Sequence, residues 1–165
     1  MAKPDAVDRM LDAWRAVRPD LELEPMGVFG RLGRLHVTAG RAIEATFEAR
    51  GLSTGEFDVL AALRRAGEDQ ARTPGELSRA LMLSPGGMTN RLDRLEAMGL
   101  VRREPDPDDR RSLRVVLTDE GRTTVDEAVT AHVANEARLL GPLSAKQRRA
   151  LDDALRTLLA QFEQE

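Results

Sequence analysis

The stretch VRREPDPDDRRSLRVVLTDEG, Val101 to Gly121, sets two short strand-forming runs, VRRE and LRVVLT, on either side of a densely charged loop, PDPDDRR. Leu100 and Val101, then Val115, Val116 and Leu117, are apolar and mostly β-branched, and Pro105, Pro107 and Thr118 bracket them, so the stretch predicts a β-hairpin. Its tip is too polar for a core. The hairpin therefore projects from something, and the residues before it say from what.

Immediately upstream, Ser84-Pro85 opens SPGGMTNRLDRLEAMG, with Met88, Leu92, Leu95 and Met98 at helical spacing and Gly99 as a C-terminal stop. Before that, Thr73-Pro74-Gly75-Glu76 combines a capping hydroxyl, proline at the first helical position and a glutamate that reaches back. The spacing predicts helices over 73–82 and 84–98 with almost nothing between them. Two short helices joined by a tight turn read as a helix-turn-helix, whose second helix enters the major groove of DNA. Its outward residues are Pro85, Gly86, Gly87, Thr89, Asn90, Arg91 and Arg94; small groups permit close approach, and Thr, Asn and Arg contact phosphates or base edges. Such a face alone reads equally well as solvated surface. A hairpin following directly on it points to a winged helix, with Arg110 and Arg111 of the loop reaching the duplex and Asp108 and Asp109 bracing them.

The remaining chain is helical in pattern. Ser53/Glu56 and Ser144/Gln147 repeat the capping signature, and Phe57, Leu60, Ala61 and Leu63 share one face before Gly67. Residues 119–140, with Val125, Ala128, Val129, His132, Val133 and Leu140, and residues 144–163, with Leu151, Leu155, Leu158, Leu159 and Phe162, form amphipathic helices with little of their own to pack on. The fold class expected is mainly α with a small β-hairpin: a winged helix-turn-helix at 53–118, N-terminal helices at 1–52 and C-terminal helices at 119–165, the two outer regions serving dimerisation.

Composition narrows the function. The 165 residues include no Cys and no Tyr, 41% are hydrophobic and 32% charged, which suits a globular helical chain and excludes disulfides and thiolate catalysis. No apolar run spans a bilayer and the N-terminus lacks a signal peptide, so a cytoplasmic location without membrane contact is expected. Net charge is −3, so DNA affinity must rest on placed arginines rather than bulk charge. Arginine is abundant throughout, 23 residues against 2 lysines, so each one needs its own evidence. An enzyme would need a nucleophile and base or a metal cluster; His36 and His132 lie far apart on helical patterns, each expected as a partly buried helix residue. Neither catalytic residues, a metal site nor a cofactor is expected.

The order of these elements resembles the MarR family of bacterial transcription regulators. FDVLAALRRAG, TPGELSRALMLSPGGMTNRLDRLEAMGLVRR and above all DPDDRRSLRVVLTDEG, with its D-x-R-R and L-T-x-x-G, carry the likeness. The resemblance implies a homodimer on a pseudopalindromic operator, with Arg111 in the minor groove, Asp109 as its buttress and Thr89, Asn90, Arg91 and Arg94 in the major groove. An extra N-terminal helix with a tryptophan resembles the urate-responsive, PecS-like subgroup. That likeness implies that Trp14, Asp58, Arg91 and Arg103 hold a small planar anionic ligand such as urate and that the protein is a repressor whose DNA binding this ligand attenuates. Arg102 competes with Arg103 for the inward position. A winged helix used only for protein contacts, or a DNA-binding regulator without an effector, are the alternatives.

Overall fold

A computed structural model describes residues 3–67, 71–107 and 112–162. The chain divides into two units, Met1–Ile43 and Glu44–Glu165.

In the first unit, α1 (Ala6–Val17) is capped by Asp5, whose carboxylate accepts the Val7 and Asp8 amides while Asp8 reaches back to the Asp5 amide. An aspartate pair thus does what Ser/Thr with Glu does elsewhere, a cap that the S/T-x-x-E/Q pattern does not include. α2 (Glu24–Glu48) starts in this unit and runs on into the second. Val7, Leu11 and Leu23 form a small core, and Arg31 on α2 binds both Asp5 and Asp8, at 2.9 and 2.6 Å. His36, expected to be partly buried, is exposed, because its stretch of α2 is left uncovered by the described residues of its own unit.

The second unit contains α3 (Thr54–Arg64), β1 (Ala71–Arg72), α4 (Pro74–Ala80), α5 (Pro85–Ala97), β2 (Val101–Pro105), β3 (Leu113–Leu117), α6 (Asp119–Leu139) and α7 (Ala145–Leu159). The capping boxes at Ser53/Glu56, Thr73/Glu76 and Ser144/Gln147 all form, and Gly67 and Gly99 take the left-handed conformation that ends a helix. Leu60, Leu63, Leu77, Met88, Leu92, Leu95, Val115 and Val125 are fully buried together with Val59. The sheet is three-stranded and antiparallel in the order β1-β3-β2, with Val101 opposite Leu117 and Pro105 opposite Leu113. The hairpin was legible in sequence; β1 was not, since two residues carry no period. Its effect is to pair the otherwise open edge of β3.

Met98 departs from its expected place in the buried row and is half-exposed. The helix ends there in a Schellman arrangement: the Leu100 amide donates to the Leu95 carbonyl and the Gly99 amide to Glu96, so Leu100 turns back into the core in place of Met98.

The L-T-x-x-G string has a physical reading in this corner. Thr118 caps α6 by accepting the Gly121 amide at 2.9 Å, donates its hydroxyl to the Gly99 carbonyl at 2.7 Å, and sends its own amide to the Leu100 carbonyl. Gly121 lies so close to that carbonyl that a Cβ would collide with it. One threonine and one glycine thereby join the exit of α5, the sheet and the start of α6.

Candidate nucleic-acid interface

Ser84 caps α5 by accepting the Gly87 amide, and Pro85 occupies the first turn, where its missing N–H costs nothing. With Met88, Leu92 and Leu95 facing the core, Pro85, Gly86, Thr89, Asn90 and Arg94 face solvent, as the spacing requires. Thr89 donates its hydroxyl to the Pro85 carbonyl at 3.0 Å, which fixes its rotamer on this face.

Two arginines of α5 are tied to the first turn of α3. Arg91, half-buried, lies across Gly55 with Nη1 3.5 Å from its carbonyl, and a Cβ at position 55 would collide with the guanidinium. Arg94 is exposed, yet its Nε lies 2.7 Å from Oε1 of Glu56, whose side chain is only 1% accessible. Glu56 meanwhile accepts the amide and hydroxyl of Ser53 through Oε2. One buried carboxylate therefore both caps α3 and holds a cation of the outward helix. Sequence reading took Glu56 for a cap alone; its position one residue before the buried Phe57 was the available signal.

Asp58 sits half-buried on the same turn. Burial raises its carboxyl above the ordinary aspartate value, while Arg91, Arg65 and His132 pull it back down. His132 packs against the stacked rings of Phe47 and Phe57 and reaches Glu136 at 3.3 Å.

Arg103 crosses from β2 to α5, pairing with Asp93 at 2.6 Å and Glu96 at 2.7 Å, and its amide also donates to Glu96. Arg102 points elsewhere, to Glu104, which also binds Arg114. The hairpin is thus locked to the outward helix by the arginine that faces it. The acids at 93 and 96, spaced to share a helix face, went unread in the sequence. Of the four proposed ligand residues, Asp58 feels the charge of Arg91, Arg103 is engaged with α5, and Trp14 lies on α1 in the first unit, 41% exposed. Asp108, Asp109, Arg110 and Arg111, the loop residues expected at the minor groove, lie outside the described residues. Among the described residues no group of His, Asp and Glu could hold a metal ion, and no helix is long and apolar enough to cross a membrane.

A helix-turn-helix with an outward Thr-Asn-Arg row and a clamped hairpin has counterparts among known proteins. Residues 50–112 match the MarR family model. The chain is 42% identical over 163 residues to the HTH-type transcriptional regulator PecS of Dickeya dadantii, covering 99% of this chain and 96% of that one. Among solved structures it is similar to a MarR variant from E. coli complexed with operator DNA, with TM-score 0.69 and 27% identity over 83% of this chain and 97% of that one. It is also similar to Bordetella bronchiseptica BpsR, whose DNA binding is regulated by 6-hydroxynicotinic acid, with TM-score 0.67 and 28% identity over 79% and 91%. The chain belongs to the MarR family, as a PecS-like transcriptional regulator that binds DNA and not an enzyme.

Proposed function

We propose that the protein acts as a homodimeric repressor on a pseudopalindromic operator and that a small planar anion such as urate releases it. The observation that carries this reading is a division of labour within one chain. α5 offers solvent an ordered polar row, while α7 has no buried residue and leaves Leu159 exposed beside half-exposed Leu151, Leu155 and Leu158, with Phe162 exposed just past its end. An apolar helix face of that extent is what an isologous interface needs, and it would space two copies of α5 along one face of a duplex.

The effector reading rests on Asp58, Arg91, Arg103 and Trp14. Arg91 and Arg103 both connect α5 to its neighbours, through the Gly55 carbonyl and through Asp93 and Glu96. An anion that binds these guanidiniums competes with those contacts and so favours a different seating of α5. Only its difference in affinity between the two seatings can shift DNA occupancy. The half-buried Asp58 carboxyl, raised by burial and held back by the charge of Arg91, suits a ligand that brings N–H donors. The likeness to BpsR, whose DNA binding is regulated by 6-hydroxynicotinic acid, supports the ligand class.

Trp14 is the sole tryptophan and there is no tyrosine, so intrinsic emission reports from one place. Titrated with urate, xanthine, salicylate and citrate, and corrected for absorbance, the protein is expected to show saturable quenching by one planar anion, lost in Asp58→Ser and Arg103→Ala. Saturable quenching that survives both substitutions would remove these residues from the ligand site. No response to any of the four would leave a DNA-binding regulator without this class of effector.

A further inference from the structure

Between α4 and α5 the chain makes one unusual choice. Met82 has φ of +52°, and among the described residues it is the one non-glycine in the left-handed region. A side chain with a Cβ is strained there, and glycine would not be. The same methionine is 94% exposed, more than any other large apolar residue described. The left-handed backbone ends α4 in a Schellman-type turn, but a large solvated thioether there does nothing for the fold of the monomer. A large apolar side chain kept in solvent at a position where glycine would be unstrained points to a use outside the chain.

Its surroundings say what that use is. Leu81 and Leu83 are partly covered on either side, and the Leu83 amide donates to the Ser78 carbonyl at 2.9 Å, so the turn is held and Met82 is aimed outward. The cavity it lines, with a volume of about 430 Å³, is shared with Pro74, Arg79, Pro85 and Thr89. Thr89 belongs to the outward row of α5, and Pro74 and Pro85 mark the first turns of the two helices. Met82 thus stands at the rim of the surface that meets the duplex, with no charge of its own.

We propose that Met82 is a DNA-contact residue, packing its thioether against the apolar edge of the duplex, the thymine methyl groups or deoxyribose rings beside α5. This rests on the reading of α5 as the helix in the major groove. A flexible, polarisable side chain suits such an edge, and an apolar contact with the thymine methyl reads sequence without a hydrogen bond.

The test uses a duplex selected from a random pool by the unaltered protein. Met82→Gly and Met82→Asn both tolerate a positive φ, so the turn survives and only the apolar surface is lost. Both variants are expected to melt no lower than the parent and to bind the selected duplex about 5–10-fold more weakly, a loss of the size of one base-edge contact, with an unchanged salt slope because no phosphate contact is involved. Met82→Leu should bind within about twofold of the parent. Replacing thymine by deoxyuridine separates the two apolar partners: affinity falls if the methyl is touched and holds if the sugar is. Parent-like affinity of Met82→Gly and Met82→Asn would overturn the proposal while leaving α5 in the groove. If the unaltered protein selects no duplex at all, the groove reading itself falls.

Discussion

Gly121→Ala should lower stability by about 3 kcal/mol or more, at the upper end of what overpacking costs, and the melting temperature by about 6–12 °C for a chain of this size. The reason is where the new Cβ would go. It would meet the backbone carbonyl of Leu100 rather than the end of a movable side chain. That carbonyl already accepts the Thr118 amide, and Thr118 also binds the Gly99 carbonyl, so neither partner can withdraw without breaking the corner that joins α5, the sheet and α6. Gly75→Ala serves as the control, because a Cβ there meets nothing within 4 Å. It should leave the protein unchanged or stabilise it by up to about 1 kcal/mol. Differential scanning calorimetry of the two variants side by side checks the contrast, and a Gly121→Ala protein as stable as the parent would show that the corner yields.

A double change on α7, Leu155→Asp with Leu158→Asp, should separate the protein into monomers and weaken operator binding by about 100-fold or more. Neither leucine is buried by its own chain, and α7 keeps its Ser144 cap and its Arg156–Asp152 pair, so helicity by circular dichroism should hold. What the proposed dimer would lose is its partner, because two carboxylates placed in an apolar interface cannot be desolvated without counter-charges. A monomer then engages one half-site without the effective-concentration gain of the second. Sedimentation velocity and fluorescence anisotropy read the two effects separately. A variant that stays dimeric would move the interface away from α7.

The parts of this molecule that were legible in sequence share a property: each was written by contiguous residues. Ser53/Glu56, Thr73-Pro74-Gly75-Glu76 and Ser84-Pro85 marked helix starts that appear within a residue of their expected places. The hairpin was announced by its β-branched runs and prolines. The features that sequence did not show depend on partners distant in the chain. β1 exists because β3 has a free edge, Glu56 is buried because Arg94 and Ser53 both reach it, and Arg103 turns to α5 because Asp93 and Glu96 wait one helix away. Met98 was misplaced for a related reason, since helical periodicity cannot see the Schellman turn that lets Leu100 take its position. The candidate site divides the same way: the outward row of α5 followed from spacing, whereas the grip of Gly55 and Glu56 on Arg91 and Arg94 needed coordinates.

The most direct measurement is a hydroxyl-radical footprint of the unaltered protein and of Asn90→Ala on a selected duplex. A dimer that reads DNA through α5 should protect two blocks on one face, related by a two-fold axis and centred about 10 base pairs apart, and Asn90→Ala should weaken both equally. A single protected block, or two blocks indifferent to Asn90→Ala, would contradict the placement of α5 in successive major grooves.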